Sequence, residues 1–199
     1  MGYQTTCSEI IGYSIIAAMM VVIGGCITLV LVFQPHPPSF RVNSLYVSPL
    51  NVTAFNTSTS QITLAWDILF IIANPHKMAS ISYERVEASV SYKDNFLSSA
   101  IIMPFHQHKK EEAAQQVTMA ASSQYVNNGV VNAIAADLLR GAVGFNVKVD
   151  AGVVRVDWGS WIERRVGVKV SCEDVKVGLW SFTTAGTLLG GSRPCKVHL

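Results

Sequence analysis

Histidine, cysteine, serine and asparagine side chains in this 199-residue sequence have types and spacings that could take part in chemistry. His106 and His108 could face the same side of a strand and bind a metal ion, but no carboxylate with suitable spacing joins them. Ser192 follows two glycines, which is typical of a turn rather than a nucleophile. The sequence also lacks a Gly-x-Ser-x-Gly elbow, a phosphate-binding glycine-rich loop and a His-Glu-x-x-His motif. We therefore expect no enzymatic activity, no metal and no cofactor.

The four cysteines fall into two pairs by position. Cys7 and Cys26 lie beside and within a long apolar segment, whereas Cys172 and Cys195 lie in the C-terminal part. Their spacing is not typical of a zinc site. We expect Cys172 and Cys195 to form a disulfide that closes a loop of roughly two dozen residues. Cys7 is a candidate for palmitoylation, and the alternative is an unmodified thiol.

Two N-glycosylation sequons, Asn51-Val52-Thr53 and Asn56-Thr57-Ser58, lie in a polar stretch that is typical of an exposed loop. Together with the expected disulfide, they favour a lumenal or extracellular domain. The charge distribution favours the opposite orientation, because residues 1–9 contain no Lys or Arg while Arg41 follows the apolar segment. We give more weight to the sequons and the cysteines.

The apolar segment contains 24 consecutive uncharged residues, from Ile10 to Phe33. As a helix it would be roughly 36 Å long, enough to cross a hydrocarbon core of about 30 Å. A cleaved signal is less consistent, because the apolar run is long, no basic residue precedes it and no Ala-x-Ala site follows it. The sequence predicts a cytoplasmic tail at 1–9, a transmembrane helix in the lipid bilayer at 10–33, a stalk with a first strand at 34–58, and one folded domain at 59–199. Gly24 and Thr28 form a small-xxx-small pair, which leaves a homo-oligomer open.

Charge and periodicity describe the folded part. The net charge is +2 and the charged residues are interspersed in sign, so we expect no nucleic-acid partner. Apolar residues alternate with small or polar ones from Ile62 to Ile72, and again in 86–92, 145–149 and 166–172. Asn74-Pro75 ends the first of these strands. Residues 131–138 have helical spacing and Gly141 follows them. We predict an all-β, antiparallel β-sandwich with one short helix.

Three short motifs, in the same order, resemble a known family. They are Asn74-Pro75-His76-Lys77 with Ser82-Tyr83-Glu84, then Pro104-Phe105-His106-Gln107, and then 156–161 with Arg164-Arg165 and 170–172. This arrangement resembles the plant group 2 late embryogenesis abundant family, which includes harpin-induced-like and non-race-specific disease resistance-like membrane proteins. His76 and His106 depart from the family's usual Asn and Tyr, and the N-terminal tail is unusually short.

The resemblance implies an immunoglobulin-like sandwich at the plant plasma membrane and a role in pathogen defence or abiotic stress. The leading hypothesis is a non-catalytic protein whose extracellular domain binds protein partners. Its candidate interaction surface comprises Asn74, Pro75, Tyr83, Trp158, Trp161, Arg164 and Arg165, and the alternative is that these residues fix turns and pack the core. A second hypothesis is a stress protectant that contacts lipid, and a third is a linker to the cell wall or to cell–cell channels, the plasmodesmata.

Overall fold

The computed structural model describes residues 7–32, 36–54, 56–157, 163–178, 181 and 183–198. The chain divides into two compact units, Met1–His36 and Pro37–Leu199. The first unit contains a helix and the second contains all of the strands described below.

The helix α1, Cys7–Val32, is apolar on every side. Its segment Ile10–Leu31 has a mean hydropathy of 2.5, none of it is buried against protein, and it is long enough to cross a membrane. The Ser14 hydroxyl donates to the carbonyl oxygen of Ile11 at 2.8 Å, and the Thr28 hydroxyl donates to that of Gly24. These bonds satisfy the two hydroxyls within the helix, as a hydrocarbon environment requires. The predicted N-terminal transmembrane helix is confirmed.

The second unit is an antiparallel β structure with one helix among its described residues. The strands are β1 (Ser39–Val47), β2 (Asn51–Ala54), β3 (Thr59–Ala73), β4 (Ser80–Tyr92), β5 (Asn95–Ile102), β6 (Phe105–Gln107), β7 (Glu112–Asn127), β8 (Ala142–Asp157), β9 (Glu163–Gly178), β10 (Gly186–Leu188), β11 (Arg193–Pro194) and β12 (Lys196–His198), and the helix α2 is Asn128–Leu139.

The strands form two layers that are joined along one side. In the first layer β3 lies between β7 and β1, and β2 continues the line of β1. In the second layer β8 lies between β9 and β4, and β4 also pairs with β5 and β6. The short strands β10, β11 and β12 bridge β1 and β9. Side chains on alternate positions of every long strand therefore meet in one core.

Aromatic rings from the two layers meet within this core. Trp66 of β3 lies edge-on to Phe145 of β8, with ring centroids 5.8 Å apart. Phe40 of β1 lies edge-on to Tyr83 of β4 at 6.3 Å. Edge-to-face rings at such distances pack favourably, beyond the burial of their area. These contacts confirm the predicted β-sandwich.

The long strands follow the predicted alternation of apolar and polar residues, but the domain begins earlier than expected. In β1 the buried side chains are Phe40, Val42, Leu45 and Val47. The sequence predicts a first strand within 34–58, and a register shift between Val42 and Ser44 interrupts its two-residue period, which obscures its bounds. β1 and β2 are thus part of the sheet, and the compact unit starts at Pro37 rather than at residue 59.

The helix α2 has the boundaries that the sequence predicts. The side chain of Asn127 accepts a hydrogen bond of 2.7 Å from the backbone N–H of Gly129, which caps the first turn. Gly141 follows the last turn with a φ of 90°, a left-handed conformation that glycine adopts without steric cost. The buried residues are Val130 and Ile134, while Val131 is only partly buried, so the core-facing side is centred about one residue earlier than the predicted face.

Candidate functional site

The residues of the Asn-Pro motif lie at one end of the sandwich. Strand register brings Ser39, the first residue of β1, beside Ala73, the last residue of β3. The start of β4 is paired with the end of β8 through Ser80 and Asp157. We call this the Asn74 end of the domain, because Asn74 directly follows Ala73. The first strand, β1, begins at this same end.

Asn74 holds two loops together at this end. Its side chain is buried, and its Nδ2 donates to the carbonyl oxygens of Ala79 and His108, each at 2.9 Å. Its Oδ1 accepts the backbone N–H of His76 at 2.9 Å. The β3–β4 loop, 74–79, is thereby joined to the β6–β7 loop, 108–111. A further backbone bond runs from Lys110 N–H to the carbonyl oxygen of His76 at 3.1 Å.

Gln107 makes a second buried connection at this end. Its Nε2 donates to the carbonyl oxygen of Ile72 at 2.7 Å and to that of Glu111 at 3.3 Å. The side chain is fully buried, and its Oε1 has no hydrogen-bond partner among the described residues. Its two bonds connect the end of β6 to β3 and to the β6–β7 loop. Gln107 therefore has a structural role that the sequence does not reveal.

Tyr83 packs into the core below these loops. Its ring stacks on Phe105 with centroids 4.3 Å apart, and its hydroxyl has no hydrogen-bond partner within the described part of the chain. Burial raises the pKa of Tyr83 far above its ordinary value of 10.0, because the charged phenolate would lose its hydration. Asn74 and Tyr83 are 2% and 1% exposed, so neither offers a contact surface to a partner. For these two residues the turn-and-core interpretation is correct.

The two joined loops expose a group of lysines. Lys77 and Met78 lie on the first loop, Lys109 and Lys110 lie on the second, and all four side chains are exposed. We call these four residues the basic tip. Pro75, between the buried Asn74 and these side chains, is partly buried.

Of the remaining residues of the predicted interaction surface, the structure describes the two arginines but not the two tryptophans. Trp158 and Trp161 lie outside the described residues. Arg164 belongs to β9, where its backbone pairs with Val156, and Arg165 is exposed beside Arg155. The two arginines therefore occupy neighbouring positions on β9, next to the end of β8.

The histidine pair stands on and beside β6. The rings of His106 and His108 are 5.0 Å apart and perpendicular, and Nδ1 of His106 lies 2.8 Å from the hydroxyl of Ser82. In the described ranges, no group of three or more His, Cys, Asp or Glu side chains is arranged to hold a metal ion.

An apolar stripe lies on the outer surface of the second layer. Phe96, Ile101 and Met103 are exposed by 55%, 81% and 82%, and they lie on or just after β5. Beside Phe96 is a shallow depression of about 450 Å³, whose polar lining includes Glu87, Lys148 and Asp150. We call the three apolar residues the β5 stripe. The alternation does not identify this stripe, because both faces of 96–103 carry large apolar residues and one serine each, so neither face stands out as the exposed one.

Both sequon asparagines are exposed near the opposite end of the sandwich, which we call the α2 end. Asn51 pairs with Thr63 on the sheet, and Asn56 precedes the first residue of β3. Oδ1 of Asn56 accepts four hydrogen bonds from Ser58 and Thr59, at 2.7 to 3.2 Å. The exposed positions leave both side chains accessible to a glycosyltransferase.

Cys172 and Cys195 form a disulfide with a Cα–Cα distance of 4.5 Å. Cys172 is buried in β9, while Cys195 lies between β11 and β12 and donates its backbone N–H to the carbonyl oxygen of Phe40. The bond thus fixes the C-terminal segment between the two layers. Cys7 is the first residue of α1, and its side chain is outside the described part.

At the α2 end, Tyr92 joins the sheet to the helix. Its hydroxyl donates to Oδ2 of Asp137 at 2.7 Å, and Arg140 pairs with Oδ1 of the same carboxylate at 2.7 Å. The hydrogen bond from Tyr92, followed by the contact with Arg140, lowers the pKa of Asp137.

Comparisons with known proteins relate this arrangement to a family. A family described as "Late embryogenesis abundant protein" matches residues 70–172. NDR1/HIN1-like protein 10 of Arabidopsis thaliana is 24% identical over 177 residues, which cover 87% of this chain and 74% of that protein. A solved structure of a protein from Archaeoglobus fulgidus covers 64% of this chain and 92% of its own, with a TM-score of 0.28 and 7% identity. The matched segment 70–172 contains Asn74, Tyr83, Gln107 and Cys172.

Proposed function

We propose that this chain, which belongs to the late embryogenesis abundant family, acts in plant defence or stress responses through protein interaction and without catalysis. The similarity to NDR1/HIN1-like protein 10 supports the same class of role. The buried polar side chains of the first two motifs support a non-catalytic function. Asn74 and Gln107 are buried and occupied with backbone hydrogen bonds, so they are not available to a substrate.

The protein is proposed to reside in the plasma membrane with its β domain outside the cell. The apolar helix α1 supports the anchoring. The disulfide between Cys172 and Cys195, together with the exposure of Asn51 and Asn56, supports the extracellular side. The sequons lie towards the α2 end, so glycans there would not cover the loops at the Asn74 end.

The β5 stripe is the observation that favours a protein partner. Monomeric proteins rarely expose neighbouring large apolar residues without a function, and interface centres are commonly apolar with a charged rim. Ile101 and Met103 have this character, and charges of both signs lie beside Ile101, on Arg85, Glu87 and Asp150. A protein with matching apolar and charged groups fits such a surface better than a polyanion does.

Proximity labelling by the full-length protein in plant cells tests this function. The variant Ile101→Ser/Met103→Ser should lose a defined set of labelled membrane or wall proteins. Tyr125→Ser, at a residue that is 54% exposed on β7, is the matched control and should retain that set. Equal labelling by the wild type and both variants would contradict a role for the β5 stripe.

A lipid-contacting stress protectant is the second candidate function. The basic tip favours it, because Lys77, Lys109 and Lys110 are exposed at the end where β1 begins. Both functions require the anchor, and they use different surfaces of the domain.

A further inference from the structure

We propose that the basic tip, Lys77, Met78, Lys109 and Lys110, is a docking surface for anionic phospholipid headgroups of the bilayer that α1 crosses. This inference rests on the membrane anchoring in the proposed function, and it adds a specific lipid-binding surface. The ligand chemistry is the phosphate and carboxylate of headgroups in the leaflet on the domain's side.

The tip is held in a fixed arrangement by Asn74. Its Nδ2 binds the carbonyl oxygens of Ala79, after Met78, and of His108, before Lys109, at 2.9 Å each. The backbone bond from Lys110 to His76 closes the same pair of loops. Lys77 and Met78 are at least 31 residues from Lys109 and Lys110 in the sequence. The two joined loops therefore present the two pairs together before any lipid arrives. Such preorganisation lowers the entropy cost of binding.

The lysines at the tip are not neutralised by the acidic residues around them. Glu112 pairs with Arg41 at 3.1 Å, Glu84 pairs with Arg155, and Oε2 of Glu111 accepts the backbone N–H of His108. None of the three lysines forms an ion pair with any residue that the structure describes. Their positive charge is thus available to an external anion. Met78, which is 62% exposed, adds a flexible apolar side chain that could enter the headgroup layer.

The covalent connection restricts which end of the domain can reach the bilayer. Ser39 begins β1 at the Asn74 end, and residues 33–38 separate it from Val32 of α1. A fully extended chain spans at most about 3.5 Å per residue, so this connection reaches no further than about 25 Å. The other end of β3, at Thr59, is fourteen residues from Ala73, roughly 46 Å along the strand at 3.3 Å per residue. This distance is longer than the reach of the connection. The end with the shortest tether is also the end that carries the unpaired lysines.

The positive charge of the basic tip favours an anionic lipid surface, rather than a protein, as its ligand. Near the anionic cytoplasmic leaflet a basic side chain gains about 1 kcal/mol, or roughly fivefold in the equilibrium, within a Debye length, and anionic headgroups on the domain's side would act by the same physics. Because Glu111 keeps its negative charge beside the three lysines, the net charge of about +2 would favour the docked state by roughly thirtyfold at low salt. The apolar surface needed for a protein interface is concentrated instead on the β5 stripe, away from these loops.

Hydrogen exchange of the full chain in lipid nanodiscs tests the proposal. In discs that contain about a third phosphatidylglycerol, the backbone amides of 76–79 and 108–111 should exchange severalfold more slowly than in discs of phosphatidylcholine alone. Addition of 0.5 M salt should remove the difference, because salt screens the headgroup charge.

Matched variants separate charge recognition from folding. Lys77→Gln/Lys109→Gln/Lys110→Gln should lose the slowed exchange in anionic discs, and the corresponding triple Lys→Arg variant should retain it. Lys93→Gln/Lys169→Gln/Lys196→Gln removes the same charge from exposed positions elsewhere and should behave as the wild type. Unchanged Tm values in detergent would show that each variant folds.

Two results would overturn the proposal. Equal exchange of these loops in anionic and neutral discs would exclude headgroup recognition. Equal slowing in the tip variant and the wild type would show that the lysines are not responsible. Neither result would change the partner labelling that tests the β5 stripe, so failure here is distinguishable from failure of the proposed function.

Discussion

Nδ2 of Asn74 lies 2.9 Å from the carbonyl oxygen of His108, 34 residues further along the chain. This bond connects the loop after β3 to the loop after β6. The residue before Pro75 thus fixes long-range structure, although its sequence position suggests only a local turn. The chemical reason is that an amide has both donor and acceptor atoms, which can satisfy several buried backbone groups at once.

Asn74→Ala should destabilise the domain by about 2–4 kcal/mol, because it removes three hydrogen bonds, two of them fully buried, to the backbone of Ala79, His108 and His76. Equilibrium denaturation measures this change. Asn95→Ala is the control, since Asn95 is exposed and makes a single long bond of 3.5 Å to Tyr92. Similar losses in both variants would mean that the connection contributes little.

Tyr83→Phe and Tyr92→Phe should differ in their effects, although each removes one hydroxyl from a buried ring. The Tyr83 hydroxyl lacks a hydrogen-bond partner among the described residues, so its removal should change the free energy of unfolding by less than about 0.5 kcal/mol or increase it. Tyr92 loses its bond to Asp137, which should cost about 1 kcal/mol. Thermal unfolding of the pair tests this difference, and a larger loss for Tyr83→Phe would contradict it.

Asp137 should make stability depend on pH in the acid range. Its pKa in the folded protein lies below the ordinary 3.8, chiefly because the Tyr92 hydroxyl binds the carboxylate. A depressed pKa stabilises the folded state above the unfolded pKa, and the contribution is lost as pH falls through the folded value. The stability difference between wild type and Asp137→Asn should be constant above about pH 5 and shrink below pH 3.8. Denaturation midpoints across this range provide the measurement, and a constant difference down to about pH 2 would contradict the expectation.

Loss of the disulfide should destabilise the β domain. Cys172 and Cys195 are separated by 23 residues, and a loop of this length corresponds to about 3 kcal/mol in the chain-entropy description. Cys172→Ala/Cys195→Ala should therefore lower the Tm of the domain, and a reductant should have no further effect. Cys26→Ala changes a free, exposed cysteine of α1 and serves as the control. A wild-type Tm that does not respond to reduction would argue against a stabilising bond.

Periodicity predicts the long strands because each has one fully buried face and one face that is partly buried or exposed. Ile62 to Ile72 in β3 and Val86 to Tyr92 in β4 follow this rule throughout. The apolar length of α1, and the helical spacing of 131–138 with Gly141 after it, are similarly local, and both helices are found where the sequence places them.

Local sequence patterns do not predict the features that depend on contacts between distant residues. The sequence predicts a first strand within 34–58 but not its bounds, because the bulge near Asn43 breaks the alternation. Asn74 and Tyr83 were assigned to a candidate surface, since polar and aromatic residues beside a turn are common in interfaces. Their burial results from packing against Phe105 and His108, more than twenty residues away. The β5 stripe was missed because exposure of Ile101 depends on which face of the strand meets the core.

Protease digestion of sealed microsomes that contain the full-length protein tests the membrane topology most directly. If α1 anchors an extracellular β domain, Pro37–Leu199 is on the lumenal side and should remain intact until detergent opens the vesicles. Digestion of the β domain in sealed vesicles, with a lumenal control protein still protected, would contradict this topology.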